Sequence, residues 1–248
     1  MKPILFNTKM VKAILDGRKS VTRRINKDGS EFSVPDMSFF DEERRTYAVR
    51  NYADKALLEM SSLVEVPVPI CPGDILWVRE TWAAFRGWCW WSVYVYKAGY
   101  DPKQLPPGCR TKWHWHPSIH MPKEAARIFL RVTDVRVERL SEITDEQALA
   151  EGVRYTDFGM YQPPWKASLD GGKTFHPANP IHYPGYHVED VTKPEQCFPS
   201  PRGAFANLWN STIKPADREK YGWAANPWVW VIEFERCEKP KEDEDGNS

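Results

Sequence analysis

One short segment restricts the fold more than any other: Gly17-Arg18-Lys19-Ser20-Val21-Thr22-Arg23-Arg24. Ahead of it, Met10, Val11, Ile14 and Leu15 form an apolar stripe at helical spacing, with Asn7 or Thr8 available as the N-cap. Gly17 suits the left-handed residue that ends a helix, and the β-branched Val21 and Thr22 favour a strand. A helix must stop and a strand begin within a few residues. That junction concentrates a Lys, a hydroxyl and two guanidiniums. A solvated basic strand at a sheet edge would carry the same residue types, so the segment marks where to look for chemistry.

The other patterned blocks read as strands and one well-specified helix. Pro72-Gly73-Asp74 is a turn signal that releases Ile75 to Glu80, apolar on both faces and therefore expected at the centre of a sheet. Ala126 to Leu140 alternates as one long strand or two strands whose phase reverses after Val132, which predicts a bulge or bend near Thr133-Asp134. Thr144-Asp145-Glu146-Gln147 is a capping box, and its helix should end at Gly152. A short helical piece is expected around Ala204 to Trp209. A last strand, Asn226 to Arg236, then puts Trp228, Trp230, Ile232 and Phe234 on one face.

Between these blocks lie two stretches that read as insertions. Residues 26–69 are polar and mixed, with a helix expected within Tyr47 to Met60. Residues 154–202 are dense in Pro, Gly and aromatics, which disfavours regular structure. They are expected either to form a lid over a site or to pack passively on the core. The charged tail 238–248 is expected to be disordered, leaving 1–237 as one domain.

With 248 residues, 42% of them hydrophobic and 12 of them Trp, the chain can bury a substantial core and is not a disordered polymer. Lys plus Arg and Asp plus Glu each number 34, so a polyanion would have to be met by a local patch. Lys9, Lys12, Arg18, Lys19, Arg23, Arg24 and Lys27 supply one. There is no run of about 18 apolar residues and no signal-peptide pattern, so no membrane partner is expected. Five scattered Cys without a C-x-x-C suit reduced thiols and a cytoplasmic location.

Taken together, the blocks resemble a family. The segment Gly17 to Arg24, the Pro72-Gly73-Asp74 strand and the capped helix ending Ala150-Glu151-Gly152 follow the order found in the ASCH domain, a member of the PUA-like superfamily. The Trp-rich strands and Ser118-Ile119-His120-Met121-Pro122 are similar to longer ASCH-type proteins of phages and prophages. The resemblance implies an α+β fold: a mostly antiparallel β-barrel with flanking helices, here carrying two long insertions. Its cleft would take RNA or a modified nucleoside. Small bacterial members that resemble this chain are amidohydrolases that remove the acetyl group from N4-acetylcytidine with a Lys, a Thr and a Glu. By the resemblance these match Lys19, Thr22 and Glu151, with Arg24 matching an Arg two residues after the Thr. No metal or other cofactor is implied. Those members are much shorter, and the insertions here would reshape or close the cleft.

The residues support such chemistry in their own right. Amide hydrolysis needs a nucleophile, a proton carrier and a site for the oxyanion. Thr22 can attack if a base takes its proton, and a Lys19 desolvated in a cleft can be that base. Alternatively Glu151 is the base and a charged Lys19 holds the oxyanion. On a regular strand Lys19 and Thr22 would face opposite ways, so Lys19 must lie in the turn.

Substrate contacts are expected from Arg23, Arg24, Arg79, Glu80 and Trp82, where a carboxylate and a flat ring can read a nucleobase. A buried ion pair and a core Trp would also explain Arg79-Glu80-Thr81-Trp82. His114, His116 and His120, with Cys109 upstream, have a spacing that zinc could use, but the neighbouring Trp113 and Trp115 favour ordinary packing and no metal. Two functions are thus expected: an amidohydrolase acting on an N4-acylated cytidine-type nucleoside, or a noncatalytic RNA or nucleic-acid binding module.

Overall fold

The structure, a computed structural model, describes residues 1–26, 39–41, 46–50, 63–67, 69–86, 92–101, 113–168 and 170–240. They fall into two compact units, Met1–Leu140 with Pro227–Ser248, and Ser141–Asn226. The first unit runs β1 (Lys2–Leu5), α1 (Thr8–Leu15), β2 (Val21–Ile25), β3 (Phe39–Asp41), β4 (Thr46–Arg50), β5 (Leu63–Pro67), β6 (Ile75–Arg79), β7 (Trp82–Arg86), β8 (Ser92–Tyr96) and β9 (Phe129–Arg139). The second holds α2 (Asp145–Ala150), β10 (Arg154–Tyr161), β11 (Lys166–Ala167), β12 (His176–Pro177), β13 (Ile181–His187), α3 (Pro201–Thr212) and α4 (Arg218–Tyr221). The last strand, β14 (Trp228–Cys237), belongs again to the first unit.

The core of the first unit is a five-stranded sheet in the order β1-β6-β9-β14-β2. The β1–β6 pair is parallel and the other three are antiparallel. Consecutive strands β1 and β2 occupy opposite edges, so the connection through α1 must cross the sheet. Its stripe is accordingly buried at Met10, Val11, Ala13 and Ile14. Leu76 pairs with Leu130 and Val132 with Phe234, and these positions are buried, as is Ile232 two residues earlier on β14. Each fully buried Leu or Ile contributes roughly 1.5–3 kcal/mol relative to exposure.

The bulge expected near Thr133-Asp134 is present: Glu233 pairs with Asp134 and Phe234 with Val132, leaving Thr133 unopposed.

The expected β-barrel is not formed. The sheet is mixed and open, and among the described residues its edge strands β1 and β2 share no backbone ladder. The carbonyl of Leu5 accepts instead from the Arg24 guanidinium, Nη2 at 2.7 Å. A side chain occupies the acceptor that a closing strand would have used.

Within 26–69, β3, β4 and β5 form an antiparallel meander. The helix expected within Tyr47 to Met60 is replaced at its start by a strand, because Tyr47 and Val49 favour extended structure and pair with Val66 and Val64. Residues 51–60 lie outside the described residues, as do 241–248 of the expected tail.

The second insertion is more regular than its composition implies. β10 and β13 form an antiparallel pair with a register shift between Asp157 and Met160. Gly159 takes φ +66° there, and Pro184 stands opposite Asp157 at the edge of the irregularity, where a missing N–H does least harm. Between β11 and β12, Asp170 Oδ1 accepts from the backbone N–H groups of Lys173 and Thr174 at 3.0 and 2.9 Å.

Candidate functional site

The Gly17–Arg24 junction is built as its residues dictate. Asn7 caps α1 by accepting from the Met10 N–H at 2.9 Å, and Gly17 leaves the helix with φ +73°. The Arg18 and Lys19 N–H groups both donate to the Ala13 carbonyl, at 2.9 and 3.1 Å. Lys19 is thereby tied to the C-terminal end of α1, two residues before β2.

Lys19 and Thr22 are each only 4% exposed. The Lys19 ammonium donates to the Val21 carbonyl at 2.8 Å and sits 5.7 Å from the centre of the Phe6 ring. The Arg24 guanidinium lies 5.0 Å from the same ring. Phe6 thus meets two cations, and its π-face stabilises them at modest cost in hydration. Thr22 shares a strand face with Arg24, two positions on.

Arg23 points the other way. Its side chain is fully buried and its Nη2 donates to Glu138 Oε2 at 3.2 Å. Glu138 also accepts from Arg136 Nε at 2.6 Å, and Arg136 further binds Asp134 and Glu233. Arg23 is held in a charge network on the face of β2 opposite Thr22.

Glu151 stands in the second unit, as the C-cap of α2, and is 3% exposed. The capping box that starts this helix is formed, with Thr144 and Gln147 bonding reciprocally. The Glu151 N–H donates to the Gln147 carbonyl at 2.9 Å, and Gly152 follows with φ +104°.

Of the Arg79-Glu80-Thr81-Trp82 group, Glu80 is fully buried and fully engaged. Arg127 grips its carboxylate bidentately, Nε and Nη2 at 2.8 and 2.9 Å, and also donates to the Ala98 carbonyl. The same guanidinium lies 4.0 Å from the Tyr96 ring centre. Burial pushes the Glu80 carboxyl above its ordinary range, while the Arg127 hydrogen bonds and charge pull it back. Arg79 donates from Nε to the Met121 carbonyl at 3.2 Å. Trp82 pairs its backbone with His116, and the two rings lie 5.0 Å apart at 34°. Its indole N–H is buried and finds no acceptor among the described residues, a cost of about 1–3 kcal/mol.

His114 and His116 meet edge to face, 5.0 Å between ring centres, while Cys109 lies outside the described residues. Among the described residues no group of three or more His, Cys, Asp or Glu is placed to hold a metal ion, and no helix is long and apolar enough to cross a membrane.

One feature was not expected from the sequence. In the second unit a groove of about 400 Å³ runs between the segment 187–198 and one face of α3. The only signal for it was the spacing of Ala204, Asn207, Leu208 and Ser211 along a helix.

No family model matches the chain, and neither a curated protein nor a solved structure is significantly similar to it.

Proposed function

We propose that this chain is an amidohydrolase acting on an N4-acylated cytidine-type nucleoside. The observation that carries the proposal is the burial of both Lys19 and Thr22 at the junction of α1 and β2, with the Lys19 ammonium and the Arg24 guanidinium both at the Phe6 ring. Burying an ammonium is expensive unless something compensates, and such groups concentrate at working sites. The resemblance of the Gly17–Arg24 segment to the ASCH domain supports the same assignment.

In this mechanism the Thr22 hydroxyl attacks the acyl carbonyl and its proton passes to a base. The C–N bond then breaks, the cytosine amine leaves with that proton, and water hydrolyses the acyl-threonine ester. Lys19 is either that base or the group that holds the oxyanion. Arg24 and Phe6 supply charge and a flat apolar surface to the nucleoside. Glu151 enters from the resemblance alone, as the alternative base. A cytoplasmic location fits the thiols of Cys71, Cys197 and Cys237, which form no disulfide among the described residues.

The test is incubation with N4-acetylcytidine and its longer acyl homologues, with chromatography of the products. Release of cytidine by the wild-type chain and its loss in Lys19→Met and Thr22→Val would support the proposal. No turnover of any acylated cytidine, with retained binding to single-stranded RNA, would replace it by the noncatalytic binding module, for which the cations gathered at Phe6 suit a phosphate.

A further inference from the structure

The side chains gathered at the Phe6 ring are shielded to different degrees. Phe6, Lys19 and Thr22 are each no more than 5% exposed, whereas Arg24 is half-buried and Leu5, whose carbonyl accepts from it, is 37% exposed. The Arg24 guanidinium is thus the part of the cluster that solvent meets first. A nucleophile must come within about 3–3.5 Å of the carbon it attacks, and a molecule of nucleoside size cannot do that at a hydroxyl so enclosed. This conformation is closed, and an element must move before Thr22 and Lys19 can meet a ligand.

The strand β1 is held lightly. It is four residues long, it lies at the edge of the main sheet, and among the described residues its ladder runs to β6 alone. Just past the ladder the Phe6 N–H donates to the Arg79 carbonyl at 3.2 Å, and on the outer side Arg24 donates to the Leu5 carbonyl at 2.7 Å. Arg24 itself is anchored, because its residue pairs with Trp230 in the β2–β14 ladder. The guanidinium can therefore stay in place while β1 moves. Short edge segments open locally far more often than a sheet centre does. A charge-assisted hydrogen bond shifts such an opening by roughly ten- to a hundredfold, and a guanidinium has donors enough to take a ligand oxygen in place of the Leu5 carbonyl.

We propose that the Arg24–Leu5 contact is a latch. When Arg24 releases the Leu5 carbonyl, the end of β1 swings off β2 with Phe6 and uncovers Thr22 and Lys19. A ligand holds the open form by giving Arg24 an oxygen in exchange, and it shifts the equilibrium only by that differential contact. The purpose of the latch rests on the amidohydrolase reading, but the opening is a property of the chain and is measured without turnover.

The experiment labels the full chain carrying Thr22→Cys with N-ethylmaleimide, a neutral reagent, and reads each thiol by peptide mass spectrometry. Cys71, 4% exposed in the same unit, is the internal reference, since global unfolding bares both thiols alike. Adding Arg24→Met should speed labelling of the introduced thiol by about tenfold or more beyond any change at Cys71. An equal change at both thiols would overturn the latch. Amide hydrogen exchange reads the same opening in chains that keep Thr22, should Thr22→Cys melt early. There Arg24→Met should speed the Phe6 amide by about tenfold or more relative to the Val78 amide, which donates to the Ile128 carbonyl at 3.0 Å, and a uniform change would again overturn the latch. Turnover of N4-acetylcytidine by the wild-type chain keeps the two readings apart. Gated opening without turnover retains the latch and removes the amidohydrolase assignment, and turnover without gated opening does the reverse.

Discussion

The Arg24 guanidinium donates to the carbonyl of Leu5 across 2.7 Å, so the two edge strands of the main sheet are joined by a side chain and not by a backbone ladder. The same guanidinium rests against Phe6, the residue that follows Leu5. One Arg therefore fixes both the end of β1 and the ring that faces Lys19.

Replacing Arg24 by Met keeps the apolar stem and removes the donor. The lost charge-assisted hydrogen bond should cost about 1.5–3 kcal/mol, read as a lower melting temperature or urea midpoint with unchanged m-value. Arg24→Lys should recover less than half of this, since an ammonium lacks the planar fork that reaches a carbonyl and covers a ring together. Full recovery by Lys would mean that charge alone matters at this position.

Glu80 and Arg127 make a pH-dependent prediction. Arg127→Met leaves a buried carboxylate without its partner and should destabilise by about 3 kcal/mol at neutral pH, the low end for buried pairs because Arg127 is a third exposed. Burial already raises the Glu80 carboxyl above its unfolded value, and removing Arg127 raises it further. A raised carboxyl favours the fold most when it is protonated, so its contribution is greatest at low pH and is lost as pH rises through the folded value. The deficit of Arg127→Met should therefore shrink on acidification from pH 8 to pH 5. Chemical denaturation of both proteins across that range checks it, and a constant deficit would contradict it.

What could be read from the sequence was local. The Asn7 cap, the Thr144–Gln147 box, the left-handed Gly17 and the bulge at Thr133 each follow from a few neighbouring residues, and each is present. The misreadings were of partners far along the chain. Closure of the sheet depends on what meets Leu5, and nothing near Leu5 names Arg24. For Glu80 the sequence left base recognition and a buried ion pair both open, and the partner of that ion pair, Arg127, lies 47 positions on. Gly159 and Pro184 look like breakers, yet one supplies a left-handed residue within a register shift and the other stands at its edge. The helix end at Gly17 was legible for the same reason, since a left-handed glycine after an apolar stripe is a local fact.

Gly185 offers a test of packing in the second unit. A Cβ at this position would lie 2.3 Å from the Cβ of Cys197, closer than any real contact. Gly185→Ala should cost about 1–3 kcal/mol through overpacking. Combining it with Cys197→Gly removes the opposing atom, so the double variant should be more stable than the sum of the single effects predicts. Additive losses in thermal unfolding would mean that the backbone yields instead.

The last prediction separates a working Lys19 from a structural one. Methionine matches the Lys stem in length and apolar surface, so Lys19→Met deletes the buried charge while filling the same space. If Lys19 serves chemistry, the fold does not depend on its charge, and stability should stay within about 1 kcal/mol of wild type even though the bond to Val21 and the contact with Phe6 are lost. Turnover of N4-acetylcytidine should nevertheless fall by about a hundredfold or more, the scale of a lost proton carrier or oxyanion group. Thr22→Val, nearly isosteric, should behave in the same way, with the acyl-enzyme burst abolished along with steady-state release. A Lys held for structure would show the reverse pattern: a marked drop in melting temperature for Lys19→Met and activity lost only in proportion to the unfolded fraction. Melting curves and product release measured on the same preparations distinguish the two.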